Sequence, residues 1–198
     1  MKTKTALRIA SLCLAAFTVT GCLLTLGAPL TRRIEPGAVL VEAGAGAAGM
    51  GSSNSSAVGP VGYLYAGWPL GKKFELGILP YAYSLGGSPL GAVTLPLRWD
   101  PFPYEWPVHL IVFAGPTVFL MDSVSPAATA GLGLSWKPAE WLDLHASASL
   151  PIPWWQFFTA AAGARFSLGG NFQLGASGML MYPGVLVGTI SASFLLAP

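Results

Sequence analysis

The stretch AGLGLSWKPAEWLDLHASAS, residues 130–149, contains two runs of alternating side chains separated by a polar connection. Leu132 and Leu134 alternate with small residues before the Lys-Pro-Ala-Glu connection, and Leu142 and Leu144 alternate with polar residues after it. Alternation with a period of two predicts β-strands that have one apolar face and one small or polar face. The stretch therefore predicts two antiparallel strands joined by a tight hairpin.

The composition argues against an ordinary soluble domain. Only 9% of the residues are Asp, Glu, Lys or Arg, whereas soluble domains contain roughly 25%. Beyond the first two dozen residues, no apolar run approaches the roughly 20 residues that a spanning helix needs. The run from Val108 to Met121 is interrupted by His109, Gly115 and Pro116. The sequence therefore predicts one all-β domain that crosses a membrane with strands.

Alternating segments continue from Gly37 to Leu196. Lipid offers no hydrogen-bond partner to the backbone, so only a closed sheet can hold such segments in a bilayer. We predict a transmembrane antiparallel up-and-down β-barrel of about ten strands, with eight as the alternative if two hairpins merge. The ten predicted strands are 37–49, 58–69, 72–84, 89–99, 107–121, 126–137, 141–150, 155–168, 171–182 and 184–196.

Tryptophan lies mainly where these segments end. Indole rings prefer the interface between lipid and water, so such positions predict two aromatic girdles. If the first strand rises from the periplasm, both barrel termini are periplasmic, and one girdle lies at the periplasmic rim and the other at the outer rim. The periplasmic girdle would comprise Trp68, Trp99, Trp106, Trp136 and Trp141, and the outer one Trp154 and Trp155.

The first residues have the pattern of a targeting signal, with a basic start followed by a short apolar stretch over 9–19. The tetrapeptide Val19-Thr20-Gly21-Cys22 resembles a bacterial lipobox. That resemblance implies a lipoprotein signal peptide over 1–21, cleavage before Cys22 and lipid attachment to its thiol. The alternative is an ordinary secretory signal cleaved elsewhere, for example after Ala28.

Processing at Cys22 divides the remaining chain into a lipid-anchored tether over 22–36 and the barrel over 37–198. It also removes Cys13, so no disulfide is expected. The mature chain would carry seven basic and eight acidic residues, which gives no reason to expect a nucleic-acid partner.

The hairpin from Leu134 to Leu144 resembles the periplasmic hairpins of small bacterial outer-membrane β-barrel proteins. The resemblance extends over roughly Gly37 to Leu196 and rests on pattern and turn chemistry. It implies that the protein is located in the bacterial outer membrane, in contact with outer-membrane lipid. Partners among the proteins of an envelope complex belong to the functional hypothesis given below. It leaves the oligomeric state open.

Alternation turns a few charged residues towards the lumen, in its periplasmic half. An unpaired charge there would cost several kcal/mol, so we expect them to pair with one another or with trapped water. Such a cluster either stitches the barrel together or forms a gate or selectivity ring for a narrow pore. Many other inward positions are Gly, Ala or Ser, which suggests that some space remains. The predicted lumen cluster is Glu42, Arg98, Asp143, His145 and Arg165.

Two catalytic patterns occur in part. Asp143-Leu144-His145 resembles half of the omptin protease site, and His145-Ala146-Ser147 resembles the pair in lipid A deacylases. The other residues of those sites are absent, and the predicted topology places the segment inside the lumen, away from their substrates. We expect no catalytic residues and no enzyme activity.

Cofactor and metal sites are not expected either. No metal-ligand spacing is present, and the Gly-rich stretch over 44–49 lacks the helix and the acidic residue of a nucleotide site. We expect a lipid-anchored barrel that is a structural or accessory subunit of an envelope complex. The alternative is a narrow channel for small or apolar solutes, and an outer-membrane lipid-modifying or proteolytic enzyme is the third hypothesis.

Overall fold

The computed structural model describes residues 29–52, 55–85, 88–120, 124–153, 158–181 and 184–196. The signal peptide, Cys22, Trp154 and Trp155 lie outside the described residues.

A single antiparallel sheet accounts for nearly all of the described structure. Its strands are β1 (Val39–Ser52), β2 (Ser55–Pro69), β3 (Phe74–Leu85), β4 (Ser88–Thr94), β5 (Leu97–Trp99), β6 (Val108–Leu120), β7 (Val124–Ala139), β8 (Leu142–Ile152), β9 (Thr159–Ser167), β10 (Phe172–Met181) and β11 (Val185–Leu196). β1 pairs with both β2 and β11, and a β2–β3 pairing closes the ring. β4 and β5 both lie between β3 and β6, so the barrel has ten strand positions. The predicted fold class and strand number are confirmed.

One predicted strand is interrupted. The segment predicted over 89–99 is divided into β4 and β5 at Leu95 and Pro96. Proline has no backbone N–H to give to the ladder. The neighbours keep the wall closed there, because Leu95 N donates to Pro116 O at 3.0 Å and Gly77 N donates to Pro96 O at 2.8 Å.

The two faces of the wall differ as the alternation predicts. Outward side chains are apolar and exposed, and the exposed fraction reaches 74% at Val58 and 71% at Ile190. Inward side chains such as Ile111 and Phe113 are almost completely buried. Such an exposed apolar belt is stable only in contact with lipid. No helix in the described ranges is long and apolar enough to cross a membrane.

The lumen contains three layers of side chains, which we name from the end where β1 begins. The charged layer comprises Glu42, Glu75, Arg98, Asp100, His109, Asp143, His145 and Arg165. The hydroxyl belt comprises Thr94, Thr117, Thr129, Ser149, Thr159, Ser177 and Thr189. The apolar layer comprises Val61, Tyr81, Tyr83, Leu90, Phe119, Met179, Met181, Val185 and Val187.

Two of the small inward residues lie beside large aromatic side chains. A Cβ atom on Gly44 would collide with the ring of Tyr63, and one on Gly77 would collide with that of Tyr65. Each glycine therefore makes room for a large neighbouring side chain rather than for solvent. Volume in a barrel is shared between strands, so one strand's pattern does not show how the space beside its glycines is filled.

The segment before β1 differs from the expected tether in its described part. Pro29–Thr31 form a 3-10 turn, and Leu30, Thr31, Arg32 and Ile34 are buried. The turn contacts β6, β7 and β8. We call residues 29–36 the plug segment, because its buried part lies inside the barrel at the charged layer.

Candidate functional site: the charged layer of the lumen

In the described part of the chain, charge is confined to one end of the barrel. Within the described ranges, every charged side chain lies in the charged layer, in the plug segment or at the rim beside them. The rim charges are Lys72, Lys73, Glu105, Lys137 and Glu140. This end of the lumen is therefore the candidate functional site.

Arg98 is the centre of the first ion pair. β5 turns its guanidinium inward, where Arg98 Nη1 donates to Glu75 Oε1 on the adjacent β3. The hydroxyl of Tyr65 on β2 also donates to Glu75, and Arg98 Nη1 lies 3.4 Å from that hydroxyl. Arg98 and Glu75 are 0% and 2% exposed, so water does not screen this pair.

Arg165 is the centre of the second group. Its Nη1 lies 3.6 Å from Asp143 Oδ2 on the paired strand β8, and its Nε lies 3.9 Å from Glu42 Oε2 on β1. Tyr63 donates a 2.7 Å hydrogen bond to Glu42, and Ser135 donates a 2.8 Å bond to Asp143. One cation thus faces two carboxylates that hydroxyl groups help to hold.

The plug segment supplies the second cation of this group. Arg32 Nη1 donates a 2.9 Å hydrogen bond to Ser193 Oγ on β11. Arg165 Nη2 donates to Thr31 Oγ1 at 3.1 Å. With Arg32 in place, two cations face the two carboxylates, and the formal charge of the group is balanced.

His109 fastens the connection between β5 and β6. Its Nδ1 lies 2.6 Å from Asp100 Oδ2, and its Nε2 lies 2.8 Å from the Trp106 carbonyl. Asp100 also accepts a 3.1 Å bond from the backbone N–H of Phe102. Both ring nitrogens thus lie within hydrogen-bond distance of an oxygen atom.

His145 does not form the arrangement that a catalytic histidine needs. Neither ring nitrogen has a hydrogen-bond partner among the described residues. Asp143 instead accepts a bond from Ser135, so it does not orient the imidazole. The two partial catalytic patterns of the sequence therefore lack, in this structure, the hydrogen bond that would orient His145.

The structure brings together part of the predicted cluster. Glu42, Asp143 and Arg165 form one group. His145 lies on the inner face of β8, the strand that also carries Asp143. Arg98 lies in a separate pair with Glu75. Alternation along β3 turns Glu75 inward and could have revealed it. Arg32 carries no such signal, because it precedes the first strand.

The aromatic girdle is described at one end. Trp68, Trp99, Trp106, Trp136 and Trp141 all lie near the rim of the charged end, with exposed fractions between 42% and 57%. Phe74 stacks beside Trp99 and Phe166 beside Trp141, with centroid separations of 6.4 and 6.2 Å. These rings form the band that lipid headgroups would meet.

Comparison with known proteins establishes the fold. No protein-family model and no curated protein matches the chain. An outer membrane channel from Pseudomonas putida F1 is similar, with a TM-score of 0.54 and 10% identity over 84% of this chain and 98% of that chain. Neisserial surface protein A has a TM-score of 0.40 and 18% identity over 81% and 97% of the two chains. The N-terminal β-barrel domain of Pseudomonas aeruginosa OprF has a TM-score of 0.41 and 13% identity, over 81% of this chain and 98% of that chain. The chain has the fold of the bacterial outer-membrane β-barrels.

Proposed function

We propose that this chain is a non-conducting barrel of the bacterial outer membrane, anchored by lipid at Cys22, that acts as a structural or accessory subunit of an envelope complex. The observation that carries the proposal is the filled lumen. Each of the three layers contains completely buried side chains, for example Arg98 at 0%, Thr117 at 1% and Met181 at 0% exposure. A water-filled pore would leave such side chains accessible to solvent.

The rim charges support a partner on the periplasmic side. Exposed charges occur only at the end where the described chain begins and finishes, within the residues that the structure describes. With both termini periplasmic, this rim of mixed charge faces the proteins of the periplasm. The described strands at the other end carry no charge for a receptor or an adhesive partner.

The charged layer supports a structural role rather than a catalytic one. Arg98 pairs with Glu75, Arg165 faces Glu42 and Asp143, and the plug segment lies over Arg165. A peptide or lipid substrate would have to displace the plug segment and these ion pairs before it reached His145. We therefore infer that the barrel is not an enzyme, and that loss of a lipid- or peptide-cleaving activity on His145→Ala would contradict this.

Planar-bilayer recording of the refolded full chain tests the proposal. We expect no stable unit conductance for the wild type and none for Arg98→Ala. A stable conductance that changes with Arg98→Ala would instead establish the narrow channel.

In native membranes, a photoreactive residue at Glu105 should yield a discrete protein adduct, whereas one at lipid-facing Val58 should not. Absence of an adduct at the periplasmic rim would contradict the accessory-subunit role.

A further inference from the structure

The plug segment is separable from the barrel wall. The sheet begins at Val39, and the plug segment precedes it without adding a strand. Its inner part is nevertheless almost completely buried, with Leu30 at 1%, Thr31 at 0% and Arg32 at 1% exposure. Side-chain contacts and shape therefore hold it in the lumen, rather than a β-ladder.

The wall has a space shaped for this segment. Thr31 lies over Gly133 on β7, where a Cβ atom would come within 2.9 Å of Thr31 Cγ2. Ser193 and Arg165 provide the two hydrogen bonds already described. A side chain at Gly133 would occupy the space that the plug segment fills.

The outer part of the plug segment is held at the rim by three residues, Arg33, Glu35 and Tyr104, which we call the rim latch. The guanidinium of Arg33 lies 4.3 Å above the Tyr104 ring, and its Nη2 donates to Tyr104 Oη at 3.1 Å. Glu35 accepts a bond from the Tyr104 hydroxyl and lies 3.4 Å from Arg33 Nε. The side chains of Arg33 and Glu35 are 16% and 17% exposed, so solvent reaches the latch but not the buried part.

The buried part carries an electrostatic cost. Arg32 Nη2 has no hydrogen-bond partner in the described part of the chain. Burial, and then the neighbouring Arg165 cation, lower the pKa of Arg32 to about 10. Withdrawal of the segment would return this cation to water, and this gain offsets part of the attraction between Arg32 and the carboxylates of Glu35, Glu42 and Asp143. The rim latch opposes withdrawal.

We propose that residues 29–36 are a removable plug that closes the periplasmic mouth over Arg165 and Ser193, and that release of the rim latch opens this mouth to water. This goes beyond the proposed function, because it adds a second state to a barrel that is otherwise a closed scaffold. The opened state exposes the charged layer, whereas the hydroxyl belt and the apolar layer remain in place behind it.

Thiol labelling of the refolded full chain tests the plug. In a Cys13→Ser, Cys22→Ser background, Ser193→Cys places a thiol beneath Arg32, and a membrane-impermeant thiosulfonate reports its accessibility. We expect slow labelling with the latch intact and labelling at least about tenfold faster after Arg33→Ala with Tyr104→Phe. The matched control is Glu105→Gln, in the same connection but outside the latch, which should label at the intact rate.

A disulfide lock distinguishes plug withdrawal from loosening of the wall. A Cβ atom on Gly133 would lie 3.4 Å from Thr31 Cβ, close to the separation that a disulfide spans. In the latch variant, oxidised Thr31→Cys with Gly133→Cys should restore slow labelling, and reduction should reverse this. Tyr104→Phe alone provides a milder variant if the double one folds poorly.

Two outcomes would overturn the plug. One is an unchanged labelling rate in folded latch variants, and the other is fast labelling that the oxidised lock does not slow. Neither affects the proposed function, which depends on the absence of conductance in the wild type. Conversely, a conducting wild type would contradict the proposed function while leaving the labelling ratios interpretable.

Discussion

Removal of Arg98 should destabilise the barrel more than removal of any rim charge. Arg98→Met keeps most of the aliphatic stem but leaves the carboxylate of Glu75 buried, with the Tyr65 hydroxyl as a remaining donor. Breaking a fully buried ion pair from one side costs about 3–5 kcal/mol. We expect the free energy of unfolding to fall by that amount. Arg33→Met, at the partly exposed latch, should cost less than about 1 kcal/mol.

The paired substitution gives the sharper result. Arg98→Met with Glu75→Gln removes both charges and leaves an amide that Tyr65 can still bind. Replacement of a buried ion pair by neutral groups is often close to neutral, so we expect the double variant to recover at least about 2 kcal/mol relative to Arg98→Met. Reversible urea unfolding in lipid vesicles, followed by tryptophan fluorescence, measures Arg98→Met, Glu75→Gln, the double variant and Arg33→Met. Additive losses from the two single substitutions would refute the argument that burial makes this pair interdependent.

Three further predictions concern other parts of the chain. Gly46→Ala should lower the free energy of unfolding by about 1–3 kcal/mol in the same assay, because its Cβ would collide with the backbone of β11. Gly178→Ala is the matched control, faces open space and should change stability by less than about 0.5 kcal/mol. Asp100→Asn removes the charged acceptor of His109 and should lower the free energy of unfolding by about 1.5–3 kcal/mol. It should also accelerate proteolysis of the 100–107 connection, and an unchanged cleavage rate would show that the His109–Asp100 contact does not hold this connection. Cys22→Ala should abolish labelling by radioactive palmitate, whereas persistent labelling would show that the lipobox assignment is wrong.

The wall of the barrel was predictable because its signal is local. Each strand carries its own period of two, so Leu132 and Leu134 report lipid contact without knowledge of the rest of the chain. The same rule placed Arg98 and Arg165 in the lumen. It also explains the one interrupted strand after the fact, because Pro96 lacks the N–H that the ladder requires.

The contents of the lumen were less predictable because they depend on which strands become neighbours. The pairing of Arg98 with Glu75 requires the β3–β5 register, and the fit of Tyr63 over Gly44 requires the β1–β2 register. The plug segment has no periodicity, and Arg32 resembles an ordinary polar residue of a tether in the sequence. Only its contact with Ser193 on the last strand reveals that it belongs to the lumen.

Labelling of a thiol in the middle of the lumen tests the central claim, a filled barrel, most directly. Thr117 lies in the hydroxyl belt, bonded to Thr94 at 3.0 Å and Thr129 at 2.8 Å, and is 1% exposed. Thr117→Cys in the same Cys13→Ser, Cys22→Ser background, folded into vesicles with the reagent on both sides, should label as slowly as a thiol placed at lipid-facing Ile190. Labelling as fast as that of a thiol at the exposed rim residue Lys72 would show a water-filled lumen and contradict the account.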